Sequence, residues 1–133
     1  MIDWARYIGI PYKYLGRDHS GCDCYGTVYL ILREQFGLDV PSYTENRSPK
    51  ENRIESASII NGEIKTCWRK VDPGAESPGD VVLFRLHNLP LHCGVVMGDG
   101  RFIHNLAGCN SVVESYVNIK WASRVLGFYR YAA

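Results

Sequence analysis

The sequence predicts an α+β domain, with helices near the amino end and an antiparallel meander after them. Three observations carry that prediction. Tyr25, Val28, Tyr29, Leu32 and Phe36 recur at helical spacing, the apolar stripe of an amphipathic helix. Beyond residue 80 the pattern changes to short apolar runs divided by turn residues, which read as strands. The chain has 133 residues, 46% of them hydrophobic and 22% charged, enough to build one core without disulfide staples. Helices first and strands later give the α+β class, and residues 1–133 read as a single domain.

Taken in order, residues 3–8 suit a short helix that Gly9 and Pro11 stop. Tyr12 and Tyr14 then lie in an extended segment. The main helix begins at Cys24, because Asp23 is placed to cap it by accepting a first-turn N–H, and Gly37 ends it. A thiol is thereby set at the positive end of a helix dipole. Residues 40–80 are polar and punctuated by Pro41, Pro49, Pro73 and Pro78, and read as a surface excursion with one helix over 50–60. A turn cluster over 72–80 closes it. Strands follow over 81–86, 91–97, 101–106, 111–114 and 126–131.

Composition excludes several classes of partner. Fifteen Lys and Arg stand against fourteen Asp and Glu, a net charge of +1, so the basic footprint of a nucleic-acid binder is missing. No run approaches the roughly 20 apolar residues of a membrane span. The first residues, Met1-Ile2-Asp3-Trp4-Ala5-Arg6, lack the basic start and apolar run of a secretory signal, and the five cysteines are odd in number and irregularly spaced. The expectation is a chain made in the cytoplasm and kept reduced, with Cys67 and Cys109 acting as small buried hydrophobes.

Chemistry concentrates at Cys24, His92 and His104. A cysteine attacks as its thiolate, which a helix N-terminus and a nearby imidazole both favour, and the imidazole needs an orienting partner on its other nitrogen. His104 is the candidate for that partner. Two other readings stay open on spacing alone. His92 and His104 could be half-buried strand residues beside an inert Cys24, or Cys22, Cys24, His92, Cys93 and His104 could supply zinc ligands. Against zinc, Cys22 and Cys24 are too close in sequence, and His92 and Cys93 alternate to opposite faces of a strand.

Four ordered blocks shift the balance: Gly9-Ile10-Pro11-Tyr12-Lys13-Tyr14-Leu15-Gly16, Cys22-Asp23-Cys24-Tyr25-Gly26, Ser77-Pro78-Gly79-Asp80-Val81-Val82-Leu83-Phe84, and the run from His92-Cys93-Gly94 to Phe102-Ile103-His104. Together they resemble the NlpC/P60 cysteine peptidase family. The resemblance implies a papain-like fold and a Cys, His, His catalytic set acting on peptidoglycan stem peptides, typically between D-glutamate and a diamino acid. It implies Cys24 as nucleophile, His92 as base and His104 as orienting residue, with no cofactor and no metal. It further implies that Tyr12 lies near the thiol and that Asp23 helps hold the amine of the stem peptide's L-Ala.

Tyr25 stands where the family usually has Ser, and Leu15 where it usually has Gly, both beside the presumed substrate groove. In this compact form the chain is similar to family members encoded among phage tail or gene-transfer-particle genes, which implies synthesis in the cytoplasm, association with a particle and action on the cell wall. A structural tail component that keeps the fold without turnover, and an amidase or acyltransferase using the same thiolate, are the alternatives.

The hairpin around Gly98-Asp99-Gly100 tests the pair of histidines. An unbulged two-residue turn would set His104 opposite Val95 and send the two rings to opposite faces. A three-residue loop, or an equivalent bulge, sets His104 opposite Gly94, on the face of His92 and diagonal to it at roughly 7 Å between Cβ atoms. The second register is expected, with both rings on the face that packs against the start of the Cys24 helix.

Overall fold

The helical stripe and the strand runs fold as one long helix laid on a six-stranded antiparallel sheet. The computed structural model describes residues 1–52, 55, 58, 62, 67–86 and 89–132. The first helix is a single 3-10 turn, Trp4–Tyr7. A ribbon of β1 (Arg17–Asp18) and β2 (Gly21–Cys22) then leads into α1 (Cys24–Phe36). Asp23 caps α1 as expected, its carboxylate accepting from the Gly26 N–H at 2.7 Å. Gly37 ends it in the left-handed region at φ 65°, and the Leu38 N–H returns to the Leu32 carbonyl at 3.0 Å.

The buried band of α1 is wider than the stripe. Gly26, Thr27, Val28, Leu30, Ile31 and Leu32 are buried, while Tyr25, Tyr29 and Phe36 are only half-buried. The reason is that the helix is enclosed by the 17–22 ribbon as well as by the sheet. Gly26 packs so closely there that a Cβ would run into the Gly16 carbonyl oxygen.

The sheet runs in the order β3, β8, β4, β5, β6, β7, from β3 (Trp68–Val71), β4 (Val81–Leu86), β5 (Leu89–Gly98), β6 (Arg101–His104), β7 (Val112–Ser115) and β8 (Val125–Tyr131). The strand β3 was not expected. Its two central residues, Arg69 and Lys70, are charged and exposed, and it is held by pairing with the distant β8. A single turn, α2 (Ile119–Ala122), was also not expected, and it buries Trp121. The helix expected over 50–60 falls mostly outside the described residues.

Period-two alternation divides the core in two. Val81, Leu83, Cys93, Val95 and Ile103 meet α1 on one face, and Val82, Phe84, Val96, Phe102 and Phe128 meet Tyr116 and Trp121 on the other.

The hairpin takes the bulged solution. Gly98 pairs with Arg101 across a two-residue turn, Asp99-Gly100, whose φ values of 55° and 74° match a type I′ turn. The register then shifts at Met97, so that Val96 pairs with Phe102 and Val95 with Ile103. His104 therefore lies across from Gly94.

Candidate active site

Cys24 is the first residue of α1, and its sulfur meets β5 where β6 has stopped. The Val96 N–H donates to the Asp80 carbonyl at 2.8 Å, so N–H groups at alternate positions, including Cys93, point away from β4 and towards β6. The β6 ladder pairs no further down β5 than Val95, and the Cys93 N–H is left to serve Cys24 instead. The sulfur at this edge is within hydrogen-bonding reach of the Cys93 thiol and the His92 ring. The Cys93 thiol holds the Cys24 thiol well below the usual range; burial opposes this, and the His92 ring and the Cys93 N–H add to it. Cys93 moves the other way, pushed well up by its bond to Cys24 and by burial. Of the two thiols Cys24 is thereby the more acidic, with Cys93 on the side of the S–H donor.

His92 and His104 share a face, as the register requires, and the His92 Nε2 lies 2.7 Å from the His104 Nδ1. The face itself differs from expectation. Both rings sit with Phe84, Phe102 and Trp121, away from α1, and it is Cys93 that faces the helix. The site can still assemble because Cys24 approaches at the strand edge, which both faces reach. His92 stacks on Phe84 and Trp121, and both histidines are almost wholly buried. Burial, followed by the neighbouring His92, pushes the His104 pKa down to about 4, so this ring is neutral near neutral pH. Its other nitrogen, Nε2, bonds the Glu114 Oε2 at 2.7 Å.

Of the three other residues named from sequence, Asp23 and Tyr12 lie close enough to Cys24 to respond to its charge, and Tyr25 turns towards Tyr43 and Pro41. Asp23 is buried, and its carboxylate accepts from the Gly26 N–H, from the Leu15 N–H at 3.0 Å and from the Arg17 guanidinium at 2.7 Å. Burial and the Cys24 charge raise its pKa, while Arg17 and the two amides oppose them. Leu15, at the position where the resemblance expects Gly, holds a φ of 60° to make that contact. The Tyr25 hydroxyl donates to the Pro41 carbonyl at 2.7 Å, and its ring lies against Tyr43 and below Arg17. Tyr12 is near enough to Cys24 that burial and then the sulfur's charge raise its phenol pKa, and its hydroxyl donates to Glu51. Its backbone is fixed by the Cys109 carbonyl, and the preceding residues by Asn105 and Ser111.

Other cysteines fall elsewhere. Burial first, then Asp23, pushes the Cys22 thiol up to about 12, and it donates to the Asp18 carbonyl. Cys24, Cys93, His92 and His104 do come together, as a hydrogen-bonded line with Cys22 set apart, but among the described residues no group of three or more His, Cys, Asp or Glu is arranged to hold a metal ion. Cys109 is exposed and Cys67 half-buried, which corrects the expectation that both are core residues. The loop between β6 and β7 carries Cys109 out of the core.

Sequence reasoning missed Arg17, Cys93 as a partner of the thiol, and Glu114. Only Glu114 had a usable signal, as a carboxylate at the end of a predicted strand. The seven-residue connection from His104 to Val112 hides its register.

A model of the NlpC/P60 family matches residues 9–130. The chain belongs to the NlpC/P60 family. It is 29% identical over 124 residues to the murein DD-endopeptidase MepS/murein LD-carboxypeptidase of Escherichia coli (strain K12), covering 93% of this chain and 57% of that protein. It is 30% identical to the probable peptidoglycan endopeptidase LytE of Bacillus subtilis (strain 168), covering 98% of this chain and 33% of that one. The chain thus spans about half the length, or less, of these curated relatives. A crystal structure of an NlpC/P60 family protein from Bacillus cereus superposes with a TM-score of 0.66 at 21% identity, over 96% of this chain and 37% of that one. That likeness shows the NlpC/P60 fold.

Proposed function

We propose that this NlpC/P60 domain is a cysteine endopeptidase that cuts peptidoglycan stem peptides, with Cys24 as nucleophile, His92 as general base and His104 as its orienting partner. The observation that carries the reading is the continuous line from the Cys24 sulfur through His92 to His104, set at the start of a 13-residue helix. In the reaction, the Cys24 thiolate attacks the scissile carbonyl while the helix N-terminus and its amides offset the oxyanion's charge. His92 in its protonated form then gives a proton to the leaving amine. Water, activated by the same ring, releases the acyl group and restores the thiolate.

The relatives MepS, a murein DD-endopeptidase, and LytE, a probable peptidoglycan endopeptidase, support a peptidoglycan substrate. The bond we propose is that between D-glutamate and the diamino acid. The setting we propose, resting on sequence resemblance, is a particle-borne enzyme made in the cytoplasm and acting on the cell wall. The test is mass spectrometry of purified muropeptides incubated with the protein, with and without a chelator. Stem-peptide cleavage that survives chelation and vanishes in Cys24→Ala, with the fold kept, is the expected result. No new fragments across several wall chemotypes, with the thiol intact, would instead support a non-catalytic structural component. Cleavage at a different bond would overturn the bond assignment alone.

A further inference from the structure

The three residues His92, His104 and Glu114 form a diagonal across three adjacent strands. His104 lies across from Gly94 on β5, two residues from His92, while on β7 the pairs His104–Val112 and Phe102–Glu114 place Glu114 two residues from His104's partner. All three therefore project from one face of the sheet. The contacts are 2.7 Å from His92 Nε2 to His104 Nδ1 and 2.7 Å from His104 Nε2 to Glu114 Oε2.

We infer that Glu114 is a positioning residue for the reaction, fixing the His104 tautomer and through it the nitrogen of His92 that faces Cys24. This rests on the cysteine-peptidase reading of the site.

Donors and acceptors along the line fix where each proton sits. A carboxylate only accepts, so at 2.7 Å the His104 Nε2 must carry its proton. A neutral imidazole has one N–H, which leaves the His104 Nδ1 as an acceptor. The His92 Nε2 must then donate to it, and the lone pair of neutral His92 is on Nδ1, the nitrogen left for the thiol. The same arrangement suits protonated His92, whose Nε2–H still has its acceptor. Remove Glu114 and His104 can hold its proton on Nδ1 instead. Donating from there, it would reverse the bond to His92 and leave the His92 proton pointing at the sulfur. Such a ring can neither accept the Cys24 proton nor keep its Nε2–H bond when charged.

The surroundings agree with this role. His104 is 1% exposed, so no water competes for its nitrogens, whereas the Glu114 side chain is 25% exposed and its other oxygen faces Lys120 at 3.4 Å. Burial raises the Glu114 pKa, but the Trp121 indole, His104 and Lys120 together hold it below the usual range and keep it a carboxylate. Among the described residues, titratable and charged groups around this line include Cys24 and Cys93 beyond His92, Lys120 beside Glu114, and Arg124 over the Trp121 ring.

Two readouts that need no substrate test the inference in the intact chain. The first is the pH profile of Cys24 alkylation by iodoacetamide, followed at the Cys24 peptide by mass spectrometry. The second is the His104 tautomer, read from long-range 1H–15N correlations. The wild type is expected to show a single Nε2–H form. Glu114→Ala should mix the tautomers and lower the alkylation rate at mildly acidic pH about tenfold. Glu114→Gln, whose amide oxygen can still accept, should recover most of the Nε2–H form and part of the rate. On muropeptides the loss should fall on kcat and spare KM. A folded Glu114→Ala with an unchanged profile and an unmixed tautomer, or a Glu114→Gln that restores no more of the Nε2–H form than Glu114→Ala, would overturn the inference, even if the wild type cuts muropeptides. If the profile shifts but the wild type cuts nothing, the inference holds for the thiol and the proposed function fails.

Discussion

Replacing Gly94 by Ala tests the register that brings the two histidines together. A Cβ at Gly94 would sit 2.8 Å from the Phe102 Cδ2, 2.9 Å from the Ile103 carbonyl oxygen and 3.1 Å from the His104 Cβ. Ordinary contacts are about 3.5–4.0 Å, so β5 and β6 must part by roughly 0.5–1 Å. Neither near neighbour gives easily. The Ile103 oxygen belongs to the backbone ladder, and Phe102 is wholly buried against Phe84 and Trp121. Overpacking of this kind costs about 1–3 kcal/mol, set against a gain of about 0.4–1 kcal/mol from a stiffer unfolded chain. A net loss of about 1–2 kcal/mol is expected in urea unfolding, with an unchanged slope on denaturant. The same parting would stretch the 2.7 Å bond from His92 to His104 past useful length, and the rate of Cys24 alkylation should fall with it. A Gly94→Ala protein as stable as the wild type, with the same thiol reactivity, would refute the reasoning.

Cys93→Val keeps the volume under α1 but removes the S–H donor, so the midpoint of Cys24 alkylation should rise by about one pH unit; an unmoved midpoint would show that Cys93 only fills space. Arg17→Met strands the buried Asp23 carboxylate and should cost about 3 kcal/mol in urea unfolding, with a loss under 1 kcal/mol counting against the pairing. The depressed pKa of His104, about 4 against an ordinary 6.5, means the unfolded chain takes up that proton first as pH falls. The stability it confers is whole above the upper value and is lost towards the lower one, at up to about 1.4 kcal/mol per pH unit. Unfolding measured across this window should show a shallower slope in His104→Asn, and equal slopes would contradict the buried neutral ring.

Short-range signals made much of the site legible. Asp23 followed by Cys24 and an apolar stripe is a helix start whatever surrounds it, because cap and dipole are properties of one turn. The pairing of His92 with His104 was similarly accessible, since the hairpin's glycines restrict the turn and a period of two converts register into facing. The three-residue loop and the bulged two-residue turn differ in shape but give the same register. The five strands β4, β5, β6, β7 and β8 were readable from short runs divided by turn residues, whereas the charged β3 depends on a partner about 60 residues away.

The sequence by itself thus determined that a thiol would begin a helix and that two imidazoles would share a sheet face. Only the tertiary structure decided which face that was, how the sulfur would reach it and what would stand behind His104. Those outcomes depend on where β6 stops against β5 and where β7 lies beside β6, and both are set by packing between distant segments. The same holds for Asp23, legible as a cap, whose carboxylate is saturated by Leu15 and Arg17 only once the 17–22 ribbon folds against α1. Local propensity fixes a residue's direction along its own element; the neighbour it meets is fixed by the chain entropy and burial of the whole fold.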